Sequence, residues 1–162
     1  TGAITTVDIF AGSKDDLPAV DSVLPYTDYF MPSIEEAHAL TGRSDLEGTT
    51  QFFLDRGVKC CVFTLGPDGA YYHHQDGTKF IVPAFAIDVH CTCGCGDAFD
   101  AGFAVALCKG FDPETSVRFA QATSALNATG LGSQAGVESF QKTWEFMKKT
   151  PSKPSHHTVK AA

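Results

Sequence analysis

The stretch "HCTCGCGDAFDAGF", His90 to Phe103, crowds three cysteines, three glycines and two aspartates ahead of an apolar run. Two chemistries compete for it. As a metal site, Cys91, Cys93 and Cys95 alternate and in an extended segment would share one face. Structural zinc, however, usually draws on C-x2-C pairs with a second pair elsewhere. His90, His73 and His74 stand at no recognisable ligand spacing from them. Cysteine as a small hydrophobe is the plain alternative. As an anion site, Gly94, Gly96 and Asp97 lie where an extended segment meets an amphipathic helix. A glycine loop there frees backbone N–H groups which, with the helix dipole, favour a phosphate. Asp97 would repel that phosphate unless it takes a proton from an attacking hydroxyl. The bland account makes Asp97 a helix cap and the glycines a tight turn.

Two further loops carry candidate residues. In "TLGPDGAYY", Thr64, Gly66 and Gly69 follow a buried apolar run. At the carboxyl end of a strand in an α/β sheet, such residues stand where ligands bind; otherwise Pro-Asp-Gly is a turn that starts a hairpin. In "MPSIEEAHALTG", Glu35 and Glu36 open a helix. They either complement its dipole or, for Glu36, face a hydrated magnesium ion that keeps several waters.

The elements that must position these loops alternate. "AITTVDIF", "TDYFMP" and "VKCCVFTLG" read as buried strands. "SKDDLPAVDSVLPY" reads as a helix ended by Pro25, and "SIEEAHALTG" as a helix with a Ser33–Glu36 capping box and a Gly42 stop. "SDLEGTTQFFLDRG" reads as a helix from a Ser44 cap to a Gly57 stop. "AYYHH" and "KFIVPAF" form a hairpin around Asp76-Gly77. Helices are expected at Ala98 to Lys109, Pro113 to Thr129 and Val137 to Lys149, with Phe99, Phe103 and Leu107 on one face of the first. This order predicts an α/β fold with parallel strands and crossover helices. Residues 1–150 are expected to form one kind of core and 151–162 a disordered tail.

With 162 residues, 43% of them hydrophobic, the chain can bury a sizeable core. No apolar stretch is long enough to span a bilayer, and no signal-peptide pattern opens it, so no membrane partner is expected. A net charge of −7 without a Lys/Arg cluster argues against nucleic acid. Six cysteines at adjacent and alternate positions are poorly spaced for disulfides, and a reducing cytoplasm is the expected setting.

In order and spacing, "LPYTDYFMPSIEEAHALTG", "TLGPDGAYY" and "GCGDAFDAGF" resemble the C-terminal half of the ribokinase-like (PfkB-type) carbohydrate and nucleoside kinases. "SALNATGLGSQAG" looks like that family's closing helix and nucleotide-side loop. The resemblance runs from about Ile4 to about Met147. It implies a three-layer α/β/α core, incomplete because the N-terminal half and the lid are absent. It implies ATP and Mg2+ as cofactors and a small sugar as acceptor, with a homodimer compatible with the full-length parent. Carried over, Asp97 is the catalytic base, and Gly94, Cys95 and Gly96 supply the anion hole with it. Thr64, Gly66 and Gly69 lie beside the ATP ribose and phosphates, Gln121 near the adenine, Gly132 on the nucleotide-side loop, and Glu36 near magnesium through water.

Two departures are plain. Cys91 replaces an aspartate that in the family helps hold a monovalent cation, which argues against potassium activation. Ser33 replaces the asparagine of N-x-x-E. The expected activity is phosphoryl transfer from MgATP to a sugar hydroxyl. The alternatives are a non-catalytic nucleotide-binding or scaffolding remnant and, third, a cysteine-based metal or redox module.

Overall fold

The computed structural model describes residues 2–10 and 12–154. They fall into two compact units, residues 2–65 with 71–80 and residues 66–70 with 81–154. The sheet has the order β1-β2-β3-β4-β5, with β1 Thr6–Val7, β2 Tyr29–Phe30, β3 Cys60–Thr64, β4 Ala70–His74 and β5 Lys79–Val82. β1 runs parallel to β2, and β2 to β3. β4 and β5 are the hairpin: the His74 N–H donates to Thr78 O at 2.9 Å, and Gly77 turns at φ 91°. The α/β class with a mostly parallel sheet and a hairpin is therefore borne out.

In the first unit the chain builds its core around Phe53, fully buried 4.6 Å from Phe30 and 6.1 Å from Phe63, ring centre to ring centre. The helices are α1 Leu17–Asp21, α2 Ile34–Thr41 and α3 Leu46–Leu54. α2 keeps its expected ends. Ser33 Oγ accepts from the Glu36 N–H at 3.2 Å, Glu36 Oε2 accepts from the Ser33 N–H at 2.9 Å, and Gly42 closes at φ 65°.

Several expectations are corrected. The first two strands each shrink to two residues, because only Thr6–Val7 and Tyr29–Phe30 find ladder partners. Pro25 does not end a continuous helix. α1 stops at Asp21, and Pro25 sits inside a separate 3-10 turn, Leu24–Tyr26, where its fixed φ suits the second position. The cap of α3 is Asp45, not Ser44: the Asp45 carboxylate accepts from the Gly48 N–H at 2.6 Å.

The second unit packs α4 Cys95–Cys108 against α5 Pro113–Ala128, and α5 against α6 Phe140–Lys149. Gly102 lets α4 and α5 approach closely, since a Cβ there would stand 2.5 Å from Thr123 Oγ1. Phe85, Phe119 and Met147 are buried among Phe111, Phe140, Trp144 and Phe146. Phe99 and Phe103 are buried as the four-residue spacing requires, and Leu107 is half-buried. The expected tail begins too early at 151. Phe85 pairs with Ser152 in an antiparallel bridge, the Ala86 N–H donates to Pro151 O, and the Lys153 N–H donates to Ala84 O at 2.7 Å. The rest of that tail, 155–162, lies outside the described residues. Among the described residues no helix is long and apolar enough to cross a membrane.

The α3 cap is testable. Asp45→Ala should cost about 1 kcal/mol in urea unfolding, the usual loss for a side-chain cap, while Ser44→Ala should leave stability unchanged. Equal effects would return the cap to Ser44.

Candidate active site

The start of α4 is set by one residue. Gly94 is its N-cap at φ 69°, and a Cβ there would stand 2.6 Å from Ser133 Cβ and 2.9 Å from Ser133 Cα. Both the left-handed backbone and the contact require glycine. Glycine has no side chain with which to cap, so the first N–H groups depend on other partners. The Cys95 N–H donates to Thr92 O at 3.2 Å, and the Ala98 N–H donates to Gly94 O at 2.9 Å. Between them the N–H groups of Gly96 and Asp97 have no partner within the helix. A Cβ added at Gly96 would meet nothing within 4 Å, so the space beside Gly96 is open.

Asp97 lies in this first turn, exposed, with no hydrogen bond or ion pair among the described residues. The capping account of Asp97 is thereby corrected: the cap position belongs to Gly94, and the carboxylate is turned to solvent. Cys95 is corrected as well, because its N–H is already engaged by Thr92 O. Within α4 the candidate donors for an anion are then Gly96 and Asp97, with the Gly94 N–H just ahead of them. Asp97 borders a depression of about 370 Å³ shared with Ala101, Thr123, Ser133, Gln134 and Val137.

The loop before α4 is held from α5. Asn127, fully buried, donates through Nδ2 to Cys93 O at 2.8 Å and to Cys95 Sγ at 3.4 Å. The N–H groups of His90 and Cys91 donate to Ala128 O. Asn127 was missed in the sequence, although a buried asparagine within a helix of small residues is a signal, since it needs a partner for its amide. All six cysteines are free thiols. Among the described residues no three His, Cys, Asp or Glu side chains are grouped to hold a metal ion.

A second cavity, about 290 Å³, is lined by Gly66, Ala84, Ile87, Cys95, Gln121 and Lys153, among others. Gln121 is 8% exposed, and its Oε1 is buried without a partner among the described residues. An unpaired carbonyl oxygen in an apolar cavity is costly unless a ligand donor reaches it. Gly66, Cys95 and Gln121 thus meet in one place, joined by Lys153, which the sequence had consigned to a tail.

The remaining residues stand elsewhere. Gly69 is a folding residue: at φ 114° its Cβ would fall 2.0 Å from Val82 O. Gly132 turns at φ 97°. Thr64 ends β3 in a parallel bridge with Ser33, the cap of Glu36's helix. The Ser33 N–H and hydroxyl both go to Glu36 Oε2, which leaves Oε1 to accept from a water.

The model of the pfkB family carbohydrate kinases matches residues 3–139. This chain belongs to that family. It is 30% identical over 132 residues to the ribokinase of Haemophilus influenzae, covering 78% of this chain and 43% of that relative. It is 32% identical over 125 residues to an ATP-dependent 6-phosphofructokinase of Thermoanaerobacterium thermosaccharolyticum, covering 76% and 38%. Among solved structures, ribokinase from Thermotoga maritima superposes with a TM-score of 0.79 at 29% identity, over 92% of this chain and 50% of that one. A ribokinase II from E. coli in complex with ATP and Mg2+ gives 0.82 at 27% identity, over 91% and 49%. The chain spans less than half the length of the curated relatives it matches.

The two glycines of this pfkB-family loop should separate by substitution. Gly94→Ala should cost about 2 kcal/mol or more, from the left-handed backbone and the Ser133 contact. Gly96→Ala, in open space at a helical position, should hold or raise the melting temperature, since alanine favours helix by about 1 kcal/mol over glycine. Thermal unfolding of both variants checks the pair. A Gly94→Ala protein as stable as the parent would remove the stated reason for the uncapped helix.

Proposed function

We propose that this chain carries the phosphate-binding and catalytic-base half of an ATP-dependent kinase that phosphorylates a hydroxyl of a sugar or sugar-like substrate. The observation that carries this reading is the open start of α4: two unpartnered N–H groups, an unoccupied approach over Gly96, and an exposed carboxylate on Asp97. The Gly96 and Asp97 N–H groups would stabilise charge on the transferring phosphoryl group. Asp97 would accept the proton of the attacking hydroxyl as the new bond forms. Gln121 Oε1 would accept from the amino group of the adenine in the apolar cavity, with Gly66 beside it. A hydrated magnesium ion would neutralise phosphate charge. Glu36, with Oε1 available to a water, has the chemistry of its outer partner.

The supporting relatives are sugar kinases, and one structural neighbour was solved with ATP and Mg2+. A second reading, a nucleotide-binding domain without turnover, is favoured by one observation. The Ser33 hydroxyl, where the family has an asparagine, is spent on Glu36.

Two measurements test the proposal. Calorimetric titration of the chain with MgATP at low salt should show weak binding. Gly96→Ala should weaken it while leaving the fold intact. No heat up to millimolar nucleotide, from protein shown folded by circular dichroism, would overturn the nucleotide site.

In the whole protein that contains this chain, Asp97→Asn should lower kcat by about 10²–10⁴-fold with nucleotide affinity unchanged. An exposed carboxylate with no partner among the described residues would contribute only as the hydroxyl loses its proton. Unchanged turnover in Asp97→Asn would remove the base, and no turnover in the parent would favour the second reading.

A further inference from the structure

The cysteines of the loop before α4 are absorbed neither by the core nor by the proposed phosphate site. Burial divides the six sharply. Cys60 and Cys61 are fully buried in β3, and burial pushes the Cys60 thiol up to about 12 and Cys61 well above the ordinary value. Such thiols are inert. Cys91 is half-buried and Cys93 exposed. The Cys91 sulfur accepts the Cys93 N–H at 3.4 Å. Two accessible cysteines thus stand two residues apart, and the sulfur of the first takes a hydrogen bond from the backbone of the second. Cys95 is oriented differently, with its Sγ directed to Cys91 O and Ser124 O and held by Asn127.

We infer that Cys91 is a peroxide-reactive modification site, with Cys93 as its resolving thiol. The hydrogen bonds, that from Gly132 foremost, hold the Cys91 thiol below the usual cysteine value. Its hydrogen bond to Cys91 raises the Cys93 thiol, so of the two Cys91 is assigned as the nucleophile and Cys93 as the resolving thiol.

The chemistry balances. The Cys91 thiolate attacks a hydroperoxide, an S–O bond forms as the O–O bond breaks, and the departing oxygen takes a proton from water. Cys93 sulfur then attacks the sulfenic sulfur of Cys91, and the S–O bond breaks. The leaving hydroxide carries off the Cys93 proton as water. Two thiols lose two electrons and two protons, and hydrogen peroxide is reduced to two waters. A disulfide across one intervening residue is strained, which makes it readily reducible and the modification reversible.

Cys108 is an internal control, because it is exposed but lies at the far end of α4. The reduced chain is treated with limiting hydrogen peroxide, remaining thiols are alkylated, and the peptides are mapped by mass. The expected result is a Cys91–Cys93 disulfide, lighter by two hydrogens, with Cys95 and Cys108 alkylated. Cys91 should react about tenfold faster than Cys108, and dithiothreitol should restore both thiols. Cys93→Ser should stop at a Cys91 sulfenic acid that dimedone traps, and Cys91→Ser should leave Cys93 reduced. The wild-type map alone decides if a variant fails to fold. Oxidation of Cys108 at the rate of Cys91, or peroxide uptake by Cys93 in Cys91→Ser, would overturn the assignment. Neither result depends on nucleotide binding, so the outcome is independent of the kinase proposal.

Discussion

The constraint on which the second unit depends is the left-handed turn at Gly94, pressed against Ser133. It fixes where α4 begins and denies that beginning a side-chain cap. The other helices of eight residues or more all have one: Ser33 for α2, Asp45 for α3, Asp112 for α5 and Ser139 for α6 each accept from a first-turn N–H. A chain that caps four helices so regularly and leaves the fifth open has forgone about 1 kcal/mol of local stability. The gap is offset by tertiary contacts. Asn127 grips Cys93 O, Ala128 O takes two N–H groups of the same loop, and the Gly102 contact seats α4 on α5. Remove the turn, and the two free N–H groups would no longer share one direction with the carboxylate beside them.

The same loop shows how little residue type says without surroundings. Cys60 and Cys61 serve as small apolar groups in β3 and are driven toward the neutral thiol by burial. Cys91, thirty residues on from Cys61, has a sulfur that accepts the Cys93 N–H, and hydrogen bonding draws its thiol below the ordinary value. Glu36 makes the parallel point among carboxylates. One of its oxygens is committed to a cap, whereas Asp97 at the corresponding position of α4 is committed to nothing found among the described residues.

What the sequence disclosed was mostly what is local. The Ser33–Glu36 capping box, the Gly42 stop and the Asp76-Gly77 hairpin depend on neighbours three or four residues apart, and each is where the pattern put it. Asp45 rather than Ser44 was ambiguous, because both residues cap well and only backbone geometry chooses between them. The family followed from motif order, and the α/β class from the alternation of strands and helices. The failures are long-range. Nothing in the string "SALNATGLGSQAG" says that Ser133 will meet Gly94 or that Asn127 will hold Cys93. "TPSKPS" has tail-like composition, yet the sheet-like pairing of Phe85 with Ser152 orders its first residues. Cys95 was credited with a free N–H because the turn back to Thr92 O cannot be seen in spacing alone.

Charge explains why a site of this construction suits this chain. At −7 the protein as a whole repels a polyanion, and side-chain cations are few, 12 Lys and Arg in 162 residues. At physiological salt that global repulsion is screened beyond about 8 Å. The interaction is then decided by what stands within hydrogen-bond reach. Backbone N–H groups at a helix start meet that need without adding a flexible lysine or arginine whose side chain must be ordered. They also leave room beside them for a carboxylate, which a cluster of cations would bind and neutralise. An open helix start therefore lets free N–H groups and an uncommitted carboxylate stand side by side, as the proposed function requires, and a glycine that refuses to cap is what permits both.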